Sequence, residues 1–171
     1  MTGRIITGAD AYSLATPSDT LYVGIGQLRE TRDGLLAVAG LGSCVALGMM
    51  VPEAPWAAVV HIALPGGGPD LRYAEPAVAA VLAAARRNGI PRQRLAAWLV
   101  GGAHVIPILR QAIGDRNVAS TREQLLTAGI RIVQEEVGGT RGRTAIFYAV
   151  HGTVDIHHVM PVDRSPPLRD A

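Results

Sequence analysis

Between Ser43 and Leu64 the chain carries almost nothing but apolar residues, interrupted once by Pro52-Glu53-Ala54-Pro55. The break divides the run into two buried strands, Ser43–Val51 and Trp56–Leu64, joined by a turn. Strands without a polar face need other layers packed against them, so this pair dictates a layered domain. The longest uninterrupted runs, Ala54–Leu64 and Ala77–Ala85, are too short to span a bilayer. Composition fits the same picture. Hydrophobic residues make up 49% of the chain and charged residues only 18%, enough for a packed core. Small residues dominate and aromatics reach only 4%, which suits tightly apposed layers. At 171 residues the chain fits one domain, 1–171, burying roughly two-thirds of its unfolded surface.

Further elements follow from period and punctuation. Thr20–Leu28 alternates as a strand, and Leu35–Ala39 starts another after the polar turn Glu30–Gly34. Tyr73–Asn88 is an alanine-rich helix that stops at Asn88-Gly89. Leu95–Val100 is a strand, and Val105–Ala112 a short helix broken by Pro107. A second helix covers Asn117–Ala128, capped by Asn117 or by Ser120 with Glu123. Ile130–Val137, Thr144–Val150 and Val154–Val159 complete the strands. The order argues a layered α/β (α+β) sandwich of mixed sheets with flanking helices. Residues 161–171 read as a frayed Pro/Asp/Arg-rich tail. Pro65–Asp70 reads either as a mobile, substrate-contacting loop or as an ordinary surface connector.

Several function classes drop out. All sixteen basic residues are arginine, which removes a Schiff-base lysine and the lysine of a phosphate-binding loop. Net charge is only +2 despite a pI near 9.1, and the arginines are scattered, so nucleic acid is not the expected partner. The histidines, the one cysteine and the carboxylates lack zinc spacing, so no metal or other cofactor is expected. Without a secretory pattern or a spanning run, the chain reads as a cytoplasmic soluble protein that does not insert into membranes.

What remains is a thiol and an imidazole. Cys44, the lone cysteine, follows Gly40-Leu41-Gly42-Ser43, where glycines free the backbone so that N–H groups beside the sulfur can face an incoming carbonyl. His61 shares one strand face with Ala57, Val59 and Ala63, an odd polar group in a row of small residues. Seventeen positions separate Cys44 and His61, suited to adjacent antiparallel strands. Two readings stand for each: small buried hydrophobe or nucleophile for Cys44, core histidine or general base for His61. A redox thiol is disfavoured because no second cysteine can resolve a sulfenate.

Six motifs, in order and spacing, resemble the chemoreceptor glutamine deamidases (the CheD family). They are Gly40–Val45, His61–Pro65, Tyr73–Glu75, Gly101–Ala103, Ile113–Asn117 and Gly138–Arg143, within residues 20–160. The resemblance implies a cysteine-hydrolase-like layered sandwich. It also implies a protein-glutamine amidohydrolase that converts glutamines of methyl-accepting chemotaxis receptors to glutamate, and binding to a CheC-type phosphatase. By motif match Cys44 is the nucleophile and His61 the general base and acid. Gly42 and Ser43 lie at the oxyanion position, and Leu64, Pro65 and Gly66 at the substrate loop. One departure is marked: the family's threonine, six positions before the cysteine, is Val38 here. The expectation is that the Val38 backbone carbonyl, or one nearby, orients the His61 ring in its place. The competing reading is a weak or inactive adaptor that binds the phosphatase or the receptors. Trp98 and Ala63 also depart from the family's usual lysine and methionine.

Overall fold

The structure is a computed structural model, and it describes residues 20–105 and 113–159. Among the described residues nine strands, β1 (Thr20–Tyr22), β2 (Leu28–Thr31), β3 (Leu35–Leu41), β4 (Val45–Val51), β5 (Ala54–Ile62), β6 (Ala96–Gly101), β7 (Arg131–Val137), β8 (Arg143–Tyr148) and β9 (Thr153–His158), form two sheets. One has the order β1-β3-β8-β9 and the other β2-β5-β4-β6-β7. Helices α1 (Ala74–Arg87) and α2 (Ile113–Thr127) cover the five-stranded sheet. The architecture is a mixed α/β sandwich with its helices flanking one of two stacked sheets.

The central strands are apolar throughout because each faces two cores. Leu47, Met49, Val60 and Leu99 pack toward the helices, with Val81, Ala84 and Leu125. Ala46, Met50, Val59 and Val100 face the other sheet, meeting Leu36, Val38 and Phe147. Gly48 stands where a side chain would collide with the Phe147 ring, so the glycine lets the layers close. Two-sided burial, not simple alternation, explains the apolar runs.

The sequence reading needs two corrections here. Thr20–Leu28 is not one strand: β1 joins one sheet, β2 joins the other, and residues 23–27 cross between them. Gly26, at φ +70°, makes that crossing with a backbone that other residues rarely adopt. Next, α2 extends at least from Ile113, so Asn117 and Ser120 lie inside it and cap nothing. The physical reason is that both side chains have longer-range partners, described below. The expected helix at 105–112, except for Val105, and the tail 161–171 lie outside the described residues.

A buried arginine ties the sheets together near the end of β6. Arg143, only 5% exposed, directs one guanidinium nitrogen at the Gly101 carbonyl (3.4 Å) and another at Glu136 (3.5 Å). Glu136 in turn pairs with His158 at 2.5 Å.

Candidate active site

The site is built where β4 begins and β5 ends. These strands pair antiparallel, with Ala46 opposite His61 and Val45 opposite Ile62. On β5, His61 continues the alternate row of Ala57 and Val59, whose side chains belong to the inter-sheet cluster with Ala46. Cys44 and His61 therefore share a face. It is the inter-sheet face, since half-buried Cys44 packs against the cluster that holds Ala46 and Val59.

His61 is 4% exposed, and the crossing segment 23–27 holds its backbone and one ring nitrogen. Its N–H donates to the Gln27 carbonyl (3.2 Å), and its own carbonyl accepts from Gly26 (2.8 Å). Ring Nδ1 lies 3.3 Å from the Val23 carbonyl. A carbonyl can only accept, so Nδ1 carries the proton and Nε2 presents a bare lone pair. Nε2 is buried and has no hydrogen-bond partner among the described residues. The orienting carbonyl is thus that of Val23, not Val38. Val38 sits fully buried in β3, opposite Ala145 of β8. Periodicity could not reveal this, because it does not register a chain that changes sheets.

The approach to Cys44 is fastened carbonyl by carbonyl. Gly42 accepts from Ala103 N–H (2.7 Å), and Cys44 accepts from Gly102 N–H (2.8 Å). Ser43 accepts from the side-chain amide of Asn117 (2.9 Å). The Gly42 N–H donates to Gly40 (3.0 Å), which removes Gly42 from the expected oxyanion donors. The N–H groups of Ser43 and Cys44 find no acceptor among the described residues. A groove of about 350 Å3 opens beside this approach, lined by Gly42, Val105, Arg141 and Val159 but not by Cys44 itself.

The expected loop at Leu64, Pro65 and Gly66 is tied down rather than loose. Leu64 donates to Arg72 (2.8 Å) and accepts from Ala74 (3.0 Å). Gly66 donates to the Ser120 hydroxyl (2.8 Å) and accepts from Glu75 (3.0 Å). These anchors fasten the segment to the start of α1 and to α2. Among the described residues no group of three or more His, Cys, Asp or Glu could hold a metal ion.

Electrostatically the pair rests neutral. Burial pushes the Cys44 thiol above its usual range. Burial also lowers His61 below the ordinary imidazole value, partly opposed by the Val23 hydrogen bond. A neutral thiol and a neutral imidazole on one face do not make a resting thiolate–imidazolium ion pair. The shift also has a consequence for folding. With the folded-state value depressed, the unfolded chain binds the proton more readily, so the contribution of His61 to stability is fully present above about pH 6.5 and is lost as pH falls through that range. Urea midpoints measured from neutral to mildly acidic pH are expected to fall more for wild type than for His61→Asn, which lacks the titrating ring. Equal falls would contradict the assigned burial.

Comparisons with known proteins give the family. The family model described as CheD chemotactic sensory transduction matches residues 65–158. A probable chemoreceptor glutamine deamidase CheD of Archaeoglobus fulgidus is 36% identical over 139 residues, covering 77% of this chain and 88% of its own length. The corresponding protein of Symbiobacterium thermophilum is 37% identical over 145 residues, covering 77% and 88%. The chemoreceptor glutamine deamidase CheD of Thermotoga maritima is 33% identical over 142 residues, covering 80% and 90%. With matches of this extent, the chain belongs to the CheD family of chemoreceptor glutamine deamidases.

Proposed function

We propose that this chain is a protein-glutamine amidohydrolase of the cysteine-hydrolase type that converts glutamines of methyl-accepting chemotaxis receptors to glutamate. It would work on the cytoplasmic side, without membrane insertion, nucleic acid, metal or cofactor. The observation that carries the reading is the His61 ring contact: Nδ1 lies 3.3 Å from the Val23 carbonyl, and Nε2 has no partner among the described residues, on the face against which Cys44 packs.

In the reaction the Cys44 sulfur bonds to the side-chain amide carbon of a receptor glutamine while its proton passes to Nε2. The N–H groups of Ser43 and Cys44 receive the oxyanion, each worth about 3 kcal/mol when well placed. His61 returns the proton to the amide nitrogen, the C–N bond breaks and ammonia leaves a thioester. Water then attacks that carbonyl, giving up a proton to Nε2. The C–S bond breaks, and glutamate and the free thiol remain.

A second reading is favoured by the raised thiol pKa and by Val38 in place of threonine: an adaptor of low activity that docks a CheC-type phosphatase or the receptors. Ammonia release from a receptor cytoplasmic fragment separates the two. Because the Val23 carbonyl already fixes the ring, Val38→Thr is expected to change the wild-type rate by no more than about threefold. No release by wild type, with release switched on by Val38→Thr, would establish the degenerate enzyme.

A further inference from the structure

Past the last β4–β5 pair the two strands part. Ala63 and Leu64 both turn their N–H groups to the Arg72 carbonyl, and the Cys44 carbonyl turns to Gly102. A single side chain spans the gap. Asn117, fully buried on α2, donates one amide proton to Ser43 (2.9 Å) and the other to Ala63 (3.0 Å). Ser43 immediately precedes the nucleophile, and Ala63 lies two residues beyond the base on its own strand face. Its amide oxygen is buried with no partner among the described residues, a costly state for a polar atom. The two donors are therefore what the site keeps this side chain for. The same helix holds Gly66 through Ser120, so α2 fixes the far side of the opening as well.

We infer that Asn117 is a positioning residue: its amide sets the splay between the strands carrying Cys44 and His61, and so the geometry in which the imidazole reaches the thiol. The inference rests on the amidohydrolase reading, because it needs Cys44 and His61 to work as a pair.

A double-mutant cycle tests it, reading Cys44 alkylation by iodoacetamide at about pH 7 in the full chain. His61→Asn is expected to slow alkylation about tenfold in wild type and less than about twofold in Asn117→Ala. Leu125→Ala, which removes core packing from the same helix without touching either carbonyl, is expected to keep the full His61 effect. On a receptor fragment, Asn117→Ala is expected to lose about 100-fold in kcat with KM within about threefold. Should Asn117→Ala fail to fold, Asn117→Ser, which retains one donor, is expected to fall between it and wild type. A His61 effect undiminished in the Asn117 variant, or a kcat loss no larger than that of Leu125→Ala, overturns the positioning role while leaving the Cys–His pair intact. No His61 effect in wild type overturns the pair itself, and the clamp with it.

Discussion

Cys44→Ala is expected to reduce ammonia release from a receptor fragment by at least about 10³-fold while leaving the fold unchanged. The proposed covalent route has no other thiol to use, since the chain contains one cysteine. Removing the half-buried sulfur takes away one polarisable atom at the edge of the inter-sheet core and leaves the backbone bonds of residues 42–44 untouched. The thermal midpoint should therefore move little while the rate collapses. Cys44→Ser, with a far less acidic hydroxyl facing the same base, is expected to be nearly as inactive. A Cys44→Ala protein that still releases ammonia at the wild-type rate would remove the nucleophile from the account.

Gly101→Ala is expected to produce the largest structural effect of any single methyl group at the site. Gly101 has φ +122°, a conformation that side chains rarely permit, and an added Cβ would run into the Cys44 carbonyl oxygen. The same glycine accepts hydrogen bonds from Gly138 and from buried Arg143 through its carbonyl, so it cannot shift without disturbing the join between the sheets. We expect a loss of about 3 kcal/mol in denaturant titration. Residual folded protein should be about 100-fold slower, because Cys44 must move away from the clash. Gly40→Ala is the comparison. Its φ of +69° is also unfavourable, but the added Cβ would meet nothing within 4 Å. Only the backbone cost, about 1–2 kcal/mol, should remain. If the two substitutions cost the same, close approach at Gly101 is not what shapes the Cys44 backbone.

Sequence pattern was most informative where burial was continuous. The pair Ser43–Val51 and Trp56–Leu64 came through as β4 and β5, since a strand apolar on both faces leaves a run that no surface element imitates. The end of α1 was equally legible: Gly89, at φ +69°, follows a turn in which Asn88 and Gly89 donate back to the helix carbonyls. Period two set His61 on one face with Ala57, Val59 and Ala63, while the face of Cys44 needed the packing between the sheets. Less legible was everything decided by contacts distant in sequence. The 23–27 crossing keeps the rhythm of a strand while moving from one sheet to the other, so neither the split nor the Val23 carbonyl at His61 could be read locally. Asn117 and Ser120 have the chemistry of helix caps, and local rules assign them there. Asn117 instead reaches Ser43 and Ala63, and Ser120 reaches Gly66, each more than fifty positions away. A polar side chain inside a helix, turned toward a distant strand end, looks in sequence like a cap set one turn too late.

In the proposed reaction the rest of the chemistry follows from an acyl-enzyme on Cys44, and trapping it is the most direct test. A receptor fragment incubated with wild-type protein and hydroxylamine, then digested and weighed by mass spectrometry, should carry hydroxamate in place of glutamate at the modified glutamines. The Cys44→Ala protein should leave those glutamines intact. Glutamate without any hydroxamate, formed equally by both proteins, would contradict a thioester at Cys44.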